Sequence, residues 1–376
     1  MDYALEQIDE LRDYLRDTKH KVAAFVGSGC SSVLKIPTWD NMLIALNREF
    51  DYYPSDTEVI TAIRTDDYPK VAANIRRKAG DLKKYFETIR RHSTPTACYY
   101  TSLHIEIVHL TRTLVTTNYD HAFEDALRAL ERHSKNAEYK FESYTVGEFD
   151  TAGLHIERRI FHLHGDMDGE GMILDEDAYI NQYGEDLSDP ASLLGDLYKN
   201  FHVLFIGYSF KDSYVVTYLK KLATRLQKPG IRIKPIPIHF CIMAELDFVH
   251  FCTRAELSDK GFLNTQELID AGIVSPEDGG PSQQPNFVFA ADAVDRIIAS
   301  NFTDEQKGGL RELLFRTTEA LKRHEEFKHI GIKPILFKGR DFLRIETILQ
   351  NLMREDKPFA PTFDPNNLNN SIWLTL

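Results

Sequence analysis

The chain lacks paired cysteines. Its four cysteines, Cys30, Cys98, Cys241 and Cys252, are scattered over 376 residues, and no Cys-x-x-Cys motif occurs. A structural zinc ribbon needs thiolates paired at short spacing, so we predict no such site and no bound metal. A disulfide framework is not expected in a large intracellular chain. We interpret the last three cysteines as small buried apolar residues, and nothing in the sequence marks Cys30 as a nucleophile.

A long apolar run and an excess of positive charge are also missing. No stretch reaches the length that spans a bilayer, and the acidic segment Met1 to Gln7 does not form a secretory signal. We therefore expect a soluble, cytoplasmic protein. With 45 Lys and Arg against 57 Asp and Glu, the formal net charge is −12. This charge argues against a broad nucleic-acid surface, so we expect nucleic acid to be contacted only through a partner.

Short β-rich segments alternate with helical patterns along the chain. The predicted strands cover residues 22–26, 113–116, 160–163, 203–206 and 236–242, and residues 287–289 are expected to be the last strand. Strands that alternate with helices predict an α/β fold with a doubly wound, mainly parallel sheet.

The helical patterns indicate how the chain is organised. Helical sequence at about 51–110 predicts an insertion packed on the sheet, within a main domain formed by residues 1–300. Residues 301–376 are predicted to form a C-terminal helical extension, with helices at about 303–327 and 341–354, and a docking arm. The arm ends in Ile372-Trp373-Leu374, which could join another subunit or fold back on its own core.

A glycine loop follows the first predicted strand. Gly27-Ser28-Gly29 permits a tight turn and can leave backbone N–H groups facing a pyrophosphate, with Ser31 close behind. The loop differs from the ordinary dinucleotide fingerprint, because Ser32 stands where a third glycine is expected. Taken alone, the glycines are equally explained by the need to turn.

Asn118 and Asp120 follow the second predicted strand. An amide at the carboxyl edge of a strand can orient a water and a ribose hydroxyl without carrying charge, although asparagine also favours turns. Asp120 is a good N-cap for the next helix, and that role is compatible with a place in the site.

Two histidines close the third segment. His162 and His164 stand two apart on a predicted strand, so their side chains are expected to share one face. A metal pair would need a third ligand at a recognisable spacing, and none is evident. His164, directly before Gly165, is the better chemical candidate, because imidazole can accept a proton from a ribose hydroxyl near neutral pH. We interpret His162 as a structural residue that supports the site.

A fourth group of polar residues follows the strand at residues 203–206. Gly207 lets a ligand approach the backbone, Ser209 can hydrogen-bond a ribose or a phosphate, and Asp212 can cap the following helix. Each assignment is ordinary by itself. Four such groups at predicted strand ends, in this order, favour a shared binding site.

The order of glycine loop, Thr-Asn-x-Asp, His-Gly and Gly-x-Ser resembles the sirtuin superfamily over about residues 20–300. Tyr119, Asp212 and the segment Phe205 to Phe210 resemble the branch found in prokaryotic defence proteins. The resemblance implies a sirtuin-like Rossmann variant with Asn118 and His164 as the catalytic pair. It also implies an NAD+ site, with phosphate and ribose at Gly27, Ser28, Gly29 and Ser31, nicotinamide near Asp120, and adenosine near Gly207 and Ser209.

Two departures from the deacylases of this family bear on the activity. The four-cysteine zinc ribbon is missing, and residues 35–40 read Lys-Ile-Pro-Thr-Trp-Asp where deacylases continue Gly-Ile-Pro-Asp-Phe-Arg. Both differences favour hydrolysis of NAD+, as a substrate and without a further cofactor, to nicotinamide and ADP-ribose. The alternatives are a protein deacylase or ADP-ribosyltransferase, and a non-catalytic nucleotide-binding scaffold of an ATPase complex. The resemblance further implies an oligomeric antiphage effector that depletes NAD+ and is paired with a HerA-type ATPase or another sensor.

Overall fold

A computed structural model describes most of the chain. The described residues are 3–16, 21–134, 139–149, 158–168, 172–183, 189–227, 237–277, 286–337 and 343–353. Within these ranges no helix combines the length and the apolar character needed to cross a bilayer.

Nine strands lie within the described ranges. They are β1 (Lys21–Val26), β2 (Thr113–Thr116), β3 (Glu142–Thr145), β4 (Arg159–His162), β5 (Phe201–Ile206), β6 (His239–Ala244), β7 (Val274–Glu277), β8 (Asn286–Phe289) and β9 (Ile332–Phe337). Seven of them form one sheet in the order β3-β4-β2-β1-β5-β6-β9, and every pair in it is parallel. The predicted doubly wound parallel sheet is confirmed.

Sixteen α-helices lie within the same ranges. They are α1 (Tyr3–Arg16), α2 (Ser28–Ser31), α3 (Trp39–Phe50), α4 (Asp56–Thr65), α5 (Tyr68–Ala79), α6 (Leu82–Ser93), α7 (Ser102–Leu110), α8 (Ala122–Ser134), α9 (Glu176–Tyr183), α10 (Asp189–Asn200), α11 (Ser213–Leu226), α12 (Arg254–Asp259), α13 (Gln266–Asp270), α14 (Ala293–Ala299), α15 (Asp304–Ile330) and α16 (Leu343–Met353).

The sheet has an apolar core on each face, because successive strand side chains point to opposite sides. Phe25 and Phe205 belong to one core, which packs against α9, α10, α11 and the end of α15. Ala24 and Leu204 belong to the other core, which packs against α1, α7, α8 and α16. Burial on both faces explains why the central strands read as continuous apolar runs.

The strand order reverses at β1, which has β2 on one side and β5 on the other. Loops that leave β1 and β5 therefore diverge to opposite faces of the sheet. In open α/β sheets this arrangement opens a crevice at the carboxyl ends of the strands. All four groups of candidate site residues follow strands that end at this edge, namely β1, β2, β4 and β5.

The helical insertion has its own apolar core. Met42 of α3, Val71 of α5 and Ile89 of α6 pack together, and Met172 and Leu174 join them from the loop before α9. Helices α4 to α6 lie within the range predicted for the insertion, 51–110. Helix α7 packs instead on the sheet, against α8 and α16.

The region after residue 250 differs from the sequence-based expectation in one respect. Residues 287–289 are not the last strand of the sheet, because β8 pairs antiparallel with β7 in a separate hairpin. The last strand is β9, which pairs with β6 at the edge of the main sheet. Pro334 is tolerated there because an edge strand needs only one ladder of hydrogen bonds.

The helices expected after residue 300 are present. Helix α15 starts at the predicted capping box, where the Thr303 hydroxyl accepts a bond from the Gln306 N–H at 3.2 Å. It ends at Gly331, whose φ is +81°. Helix α16 covers 343–353 of the expected 341–354. The predicted docking arm, residues 358–376, lies outside the described residues.

Candidate active site

A cavity opens at the carboxyl ends of β1, β2, β4 and β5. Its lining contains six of the candidate residues, namely Ser28, Ser31, Asn118, Asp120, His164 and Ser209. The remaining wall comes mainly from the segment after α2, the start of α3, helix α9 and Asp212. Residues that are far apart in sequence therefore converge on one crevice at the strand-order reversal.

The three candidate glycines do not line this cavity. The Gly29 N–H donates to the Gly207 carbonyl oxygen at 2.9 Å, and the Gly27 N–H donates to the Ile206 carbonyl oxygen at 3.0 Å. A Cβ on Gly27 would lie 2.6 Å from the Gly207 oxygen. A Cβ on Gly207, whose φ is +61°, would lie 2.6 Å from the Cys30 nitrogen. The glycines thus permit backbone contact between two loops.

Asn118 is buried and is held by the glycine loop. Its Nδ2 donates to the Gly27 carbonyl oxygen at 3.2 Å and to Ser31 Oγ at 2.9 Å. Its Oδ1 is buried and has no hydrogen-bond partner among the described residues. Buried polar atoms are nearly always satisfied, so this oxygen is suited to accept a bond from a ligand in the cavity.

Asp120 joins the same network. Its Oδ1 accepts a bond at 3.1 Å from the N–H of Ala122, the first residue of α8, so it satisfies the start of the helix from the position before the N-cap, which is His121. The Ser31 hydroxyl also bonds to its carboxylate, so Ser31 links Asn118 with Asp120. Burial raises the pKa of Asp120 above its ordinary value.

His164 lies beyond the end of β4 and contacts helices on the opposite side of the cavity. Its Nδ1 lies 3.4 Å from the Tyr179 hydroxyl, and its Nε2 lies 3.3 Å from Asp212 Oδ2. The second contact is poorly aligned, so Nε2 makes no hydrogen bond with the described residues. Oδ2 instead accepts the Tyr179 O–H at 2.9 Å. His164 Nε2 is therefore the ring nitrogen left for a ligand.

His162 does not share a face with His164, so that expectation was wrong. His162 is the last residue of β4 and points toward Glu124 of α8. His164 stands in the turn that follows, and there it contacts α9 and the start of α11. The two-residue alternation ends with the strand, and Gly165, with φ +78°, continues the turn.

His162 supports the site from behind. Its Nδ1 lies 3.0 Å from the Asn118 carbonyl oxygen, and its Nε2 lies 2.8 Å from Glu124 Oε1. Burial opposes charge on both partners, but their mutual attraction outweighs it. The pKa of His162 is therefore raised to about 9, and that of Glu124 is lowered to about 2.

Aromatic residues that the sequence analysis did not select complete the cavity. Trp39 of α3, Tyr179 of α9 and Tyr208 line it, and the Trp39 ring stacks on Tyr68 with centroids 4.7 Å apart. Asp212 was recognised only as a helix cap, which it is, since Oδ1 accepts bonds from two N–H groups at 3.1 Å. The sequence carries no local signal that α9 faces His164.

Metal and thiol chemistry find little support in the described part of the chain. No group of three or more His, Cys, Asp or Glu side chains there could hold a metal ion. Cys30 is fully buried beneath the glycine loop, and burial raises the pKa of its thiol far above the ordinary value. A thiol that stays protonated is a poor nucleophile.

Comparison with known proteins points to one family. No curated protein matches the chain. Residues 112–250 match the model of the SIR2-like domain family. The matched span contains Asn118, Asp120, His164, Gly207 and Ser209, whereas the glycine loop after β1 lies before it. The central part of the chain, which carries most of the cavity's polar wall, is therefore similar to the SIR2-like domain.

Proposed function

We propose that the protein is an NAD+ hydrolase that cleaves the bond between nicotinamide and ribose. The observation that carries the proposal is the convergence of Asn118 and His164 on one cavity within a SIR2-like stretch. A SIR2-like domain is compatible with NAD-dependent enzyme activity. Among the buried cavity groups without a hydrogen-bond partner in the described residues, Asn118 Oδ1 and His164 Nε2 are two that can act as acceptors, and we assign the reaction to them.

The chemistry requires little of the protein. The bond from ribose C1′ to the pyridinium nitrogen breaks, both electrons go to the nitrogen, and neutral nicotinamide leaves. Water adds to the resulting cationic carbon and loses a proton, which gives ADP-ribose. Asn118 Oδ1 would accept a hydrogen bond from that water or from a ribose hydroxyl, and His164 would accept the proton. Neither role needs a metal or a second cofactor.

The carboxylate of Asp212 assists His164 in this scheme. Asp212 Oδ2 lies 3.3 Å from His164 Nε2, so the carboxylate can stabilise the positive charge that the ring gains during the reaction. Tyr179 and the start of α11 hold that carboxylate in place.

A time course of NAD+ loss on the purified protein tests the proposal. We expect Asn118→Ala and His164→Ala each to lower the rate by at least about a hundredfold, the usual contribution of a positioned acid or base. Asn264→Ala and His133→Ala remove the same side chains at exposed positions and should keep full activity. Unchanged cleavage in either site variant, with folding intact by circular dichroism, would refute the assignment.

The same assay separates the alternatives. Inclusion of an acyl-lysine peptide and of a labelled acceptor protein distinguishes hydrolysis from deacylation and ADP-ribosyl transfer. If nicotinamide release depends on either acceptor, the activity is group transfer to that acceptor and not hydrolysis. If the protein binds NAD+ without any turnover, it is a nucleotide-binding scaffold and not a hydrolase.

We further propose that hydrolysis serves defence against phage, in an oligomer regulated by a HerA-type ATPase or another sensor. This part of the proposal rests on the resemblance of the four motifs to defence proteins. Cells that express the gene with its neighbours should resist phage and lose NAD+ on infection, and His164→Ala should abolish both effects. If the His164→Ala cells still resist phage, defence does not depend on the chemistry of this cavity.

A further inference from the structure

The buried imidazole of His162 lies directly behind Asn118, with an acceptor at each ring nitrogen. The Asn118 carbonyl oxygen faces Nδ1 at 3.0 Å, and Glu124 Oε1 faces Nε2 at 2.8 Å. Glu124 Oε1 also accepts the Ser143 O–H at 2.6 Å, as an ionised carboxylate does. A neutral imidazole has a single N–H and can donate only one of the two bonds.

We propose that His162 is a positioning residue, held as an imidazolium, whose two N–H groups tie the Asn118 backbone to Glu124. This inference rests on the proposed function, because it assumes that Asn118 acts on the substrate. Loss of the ring proton at alkaline pH would release the Asn118 carbonyl and slow cleavage of NAD+.

The contacts of Asn118 explain why one further bond matters. Its N–H donates to Thr116 Oγ1 at 3.0 Å, and its side-chain amide donates to Gly27 and Ser31. The bond to His162 holds its carbonyl oxygen. Together these bonds restrain Asn118 on three sides and leave Oδ1 as its one unpartnered polar atom among the described residues.

The charges around His162 favour its protonated form. Glu124 faces it from α8, Asp120 and His121 from the loop before α8, and Asp166 from the loop after β4. Three of these four groups are carboxylates, and His121 is in turn 3.7 Å from Asp166. The carboxylates together outweigh the opposing effects of burial and of His121.

Two other buried histidines provide an internal reference. His104 and His239 are as buried as His162, but each accepts a backbone N–H at Nδ1 and, among the described residues, has no carboxylate partner. Burial lowers the pKa of both to about 3. They should therefore remain neutral over the range in which His162 is charged.

Nuclear magnetic resonance of ¹⁵N-histidine protein, recorded without NAD+, tests the charge directly. Subtraction of the His162→Gln spectrum assigns the signals. We expect His162 to be doubly protonated at neutral pH, with a midpoint near pH 9. Glu124→Gln should lower this midpoint by at least about one unit, because it removes a buried carboxylate partner. Ser143→Ala removes a bond to the same carboxylate but keeps its charge, so the midpoint should not move.

The pH dependence of kcat tests the link to catalysis. We expect its alkaline limb to move to lower pH in Glu124→Gln by the same amount as the midpoint, with KM nearly unchanged. Ser143→Ala should keep the limb of the wild type. A merely structural role for the pair would lower stability in Glu124→Gln without moving the limb.

A neutral His162 ring at pH 7 would overturn the inference. An alkaline limb of kcat that does not shift with the titration midpoint of His162 would also overturn it. If Glu124→Gln does not fold, the titration of the wild-type protein still decides the charge. A wild-type protein that never cleaves NAD+ would refute the proposed function, and the titration would remain a separate test of His162.

Discussion

Asp212 caps α11 with Oδ1 and lies 3.3 Å from His164 Nε2 with Oδ2. One side chain thus starts the helix after β5 and places a negative charge beside the candidate base after β4. The position of that charge is fixed by the backbone of α11, because two N–H groups hold the carboxylate. A substitution at Asp212 can therefore test its role as a helix cap separately from its proposed role in catalysis.

Asp212→Asn should retain the cap and lose the charge. We expect NAD+ cleavage to fall between about tenfold and about a thousandfold, since the imidazolium loses its carboxylate neighbour. The melting temperature should change little, because asparagine is also a good N-cap. Asp81, which caps α6 through two N–H groups, is the matched control. Equal activity of Asp212→Asn and Asp81→Asn would contradict the role of the charge.

Tyr179 and Tyr183 offer a matched pair for the hydrogen bond to Asp212. Both are buried on α9, but only Tyr179 donates to the carboxylate, and the Tyr183 hydroxyl has no partner among the described residues. Tyr179→Phe should lower the free energy of unfolding by about 1–3 kcal/mol, because a buried acceptor loses its donor. Tyr183→Phe should change it by less than about 0.5 kcal/mol. Urea denaturation measures both, and equal effects would exclude the hydrogen bond as the cause.

Three glycine-to-alanine substitutions distinguish the cost of backbone strain from the cost of steric overlap. Gly80, with φ +68°, has no atom within 4 Å of an added Cβ, so its substitution should cost about 1 kcal/mol through backbone strain. Gly27→Ala has ordinary φ but meets the Gly207 oxygen and should cost about 1–3 kcal/mol. Gly207→Ala combines both effects and should be the most destabilising. Urea denaturation measures the three losses in unfolding free energy. Any other order of these losses would be inconsistent with the backbone contact between Gly27 and Gly207.

The His162–Glu124 pair should make stability depend on pH in both directions. The pKa of His162 is raised from 6.5 to about 9, so its contribution is complete below pH 6.5 and is lost as pH rises through about 9. The pKa of Glu124 is lowered from 4.5 to about 2, so its contribution is complete above pH 4.5 and is lost as pH falls through about 2. Denaturation of the wild type should show this alkaline loss.

Glu124→Gln is the variant that checks the alkaline loss. It should flatten the fall in unfolding free energy between about pH 6.5 and about pH 9.5, because His162 then loses the carboxylate that bonds it directly. His133→Ala, on the exposed end of α8, should keep the slope of the wild type. A Glu124→Gln protein with the wild-type slope would show that other groups cause the pH dependence.

Buried parallel strands were predictable because they are runs of apolar residues. The strands β1, β2, β4 and β5 carry that pattern and were located within a few residues. Strand β3 was not, since Glu142 and Ser143 are exposed and polar. Strand β9 contains Lys333 and Pro334, which weaken the pattern, and its place beside β6 depends on tertiary packing.

The candidate site was predictable where a polar residue directly follows a strand. Asn118 and His164 stand at such positions, and the topology alone brings them to one edge of the sheet. The directions of the two histidines were not predictable, because the strand ends between them. Tyr179 was missed, because only the packing of α9 on the sheet places it beside His164.

The contact between Gly27 and Gly207 has a consequence for how ligand choice could change. The spacing of the loops after β1 and β5 is set by main-chain atoms, so no exchange of side chains at these glycines can widen the crevice between Ser28 and Ser209. Selectivity must then reside in the aromatic walls contributed by Trp39 of α3 and Tyr179 of α9, whose ring centroids lie 6.2 Å apart. Related chains that accept different nucleotides should differ at those walls and agree at the two glycines.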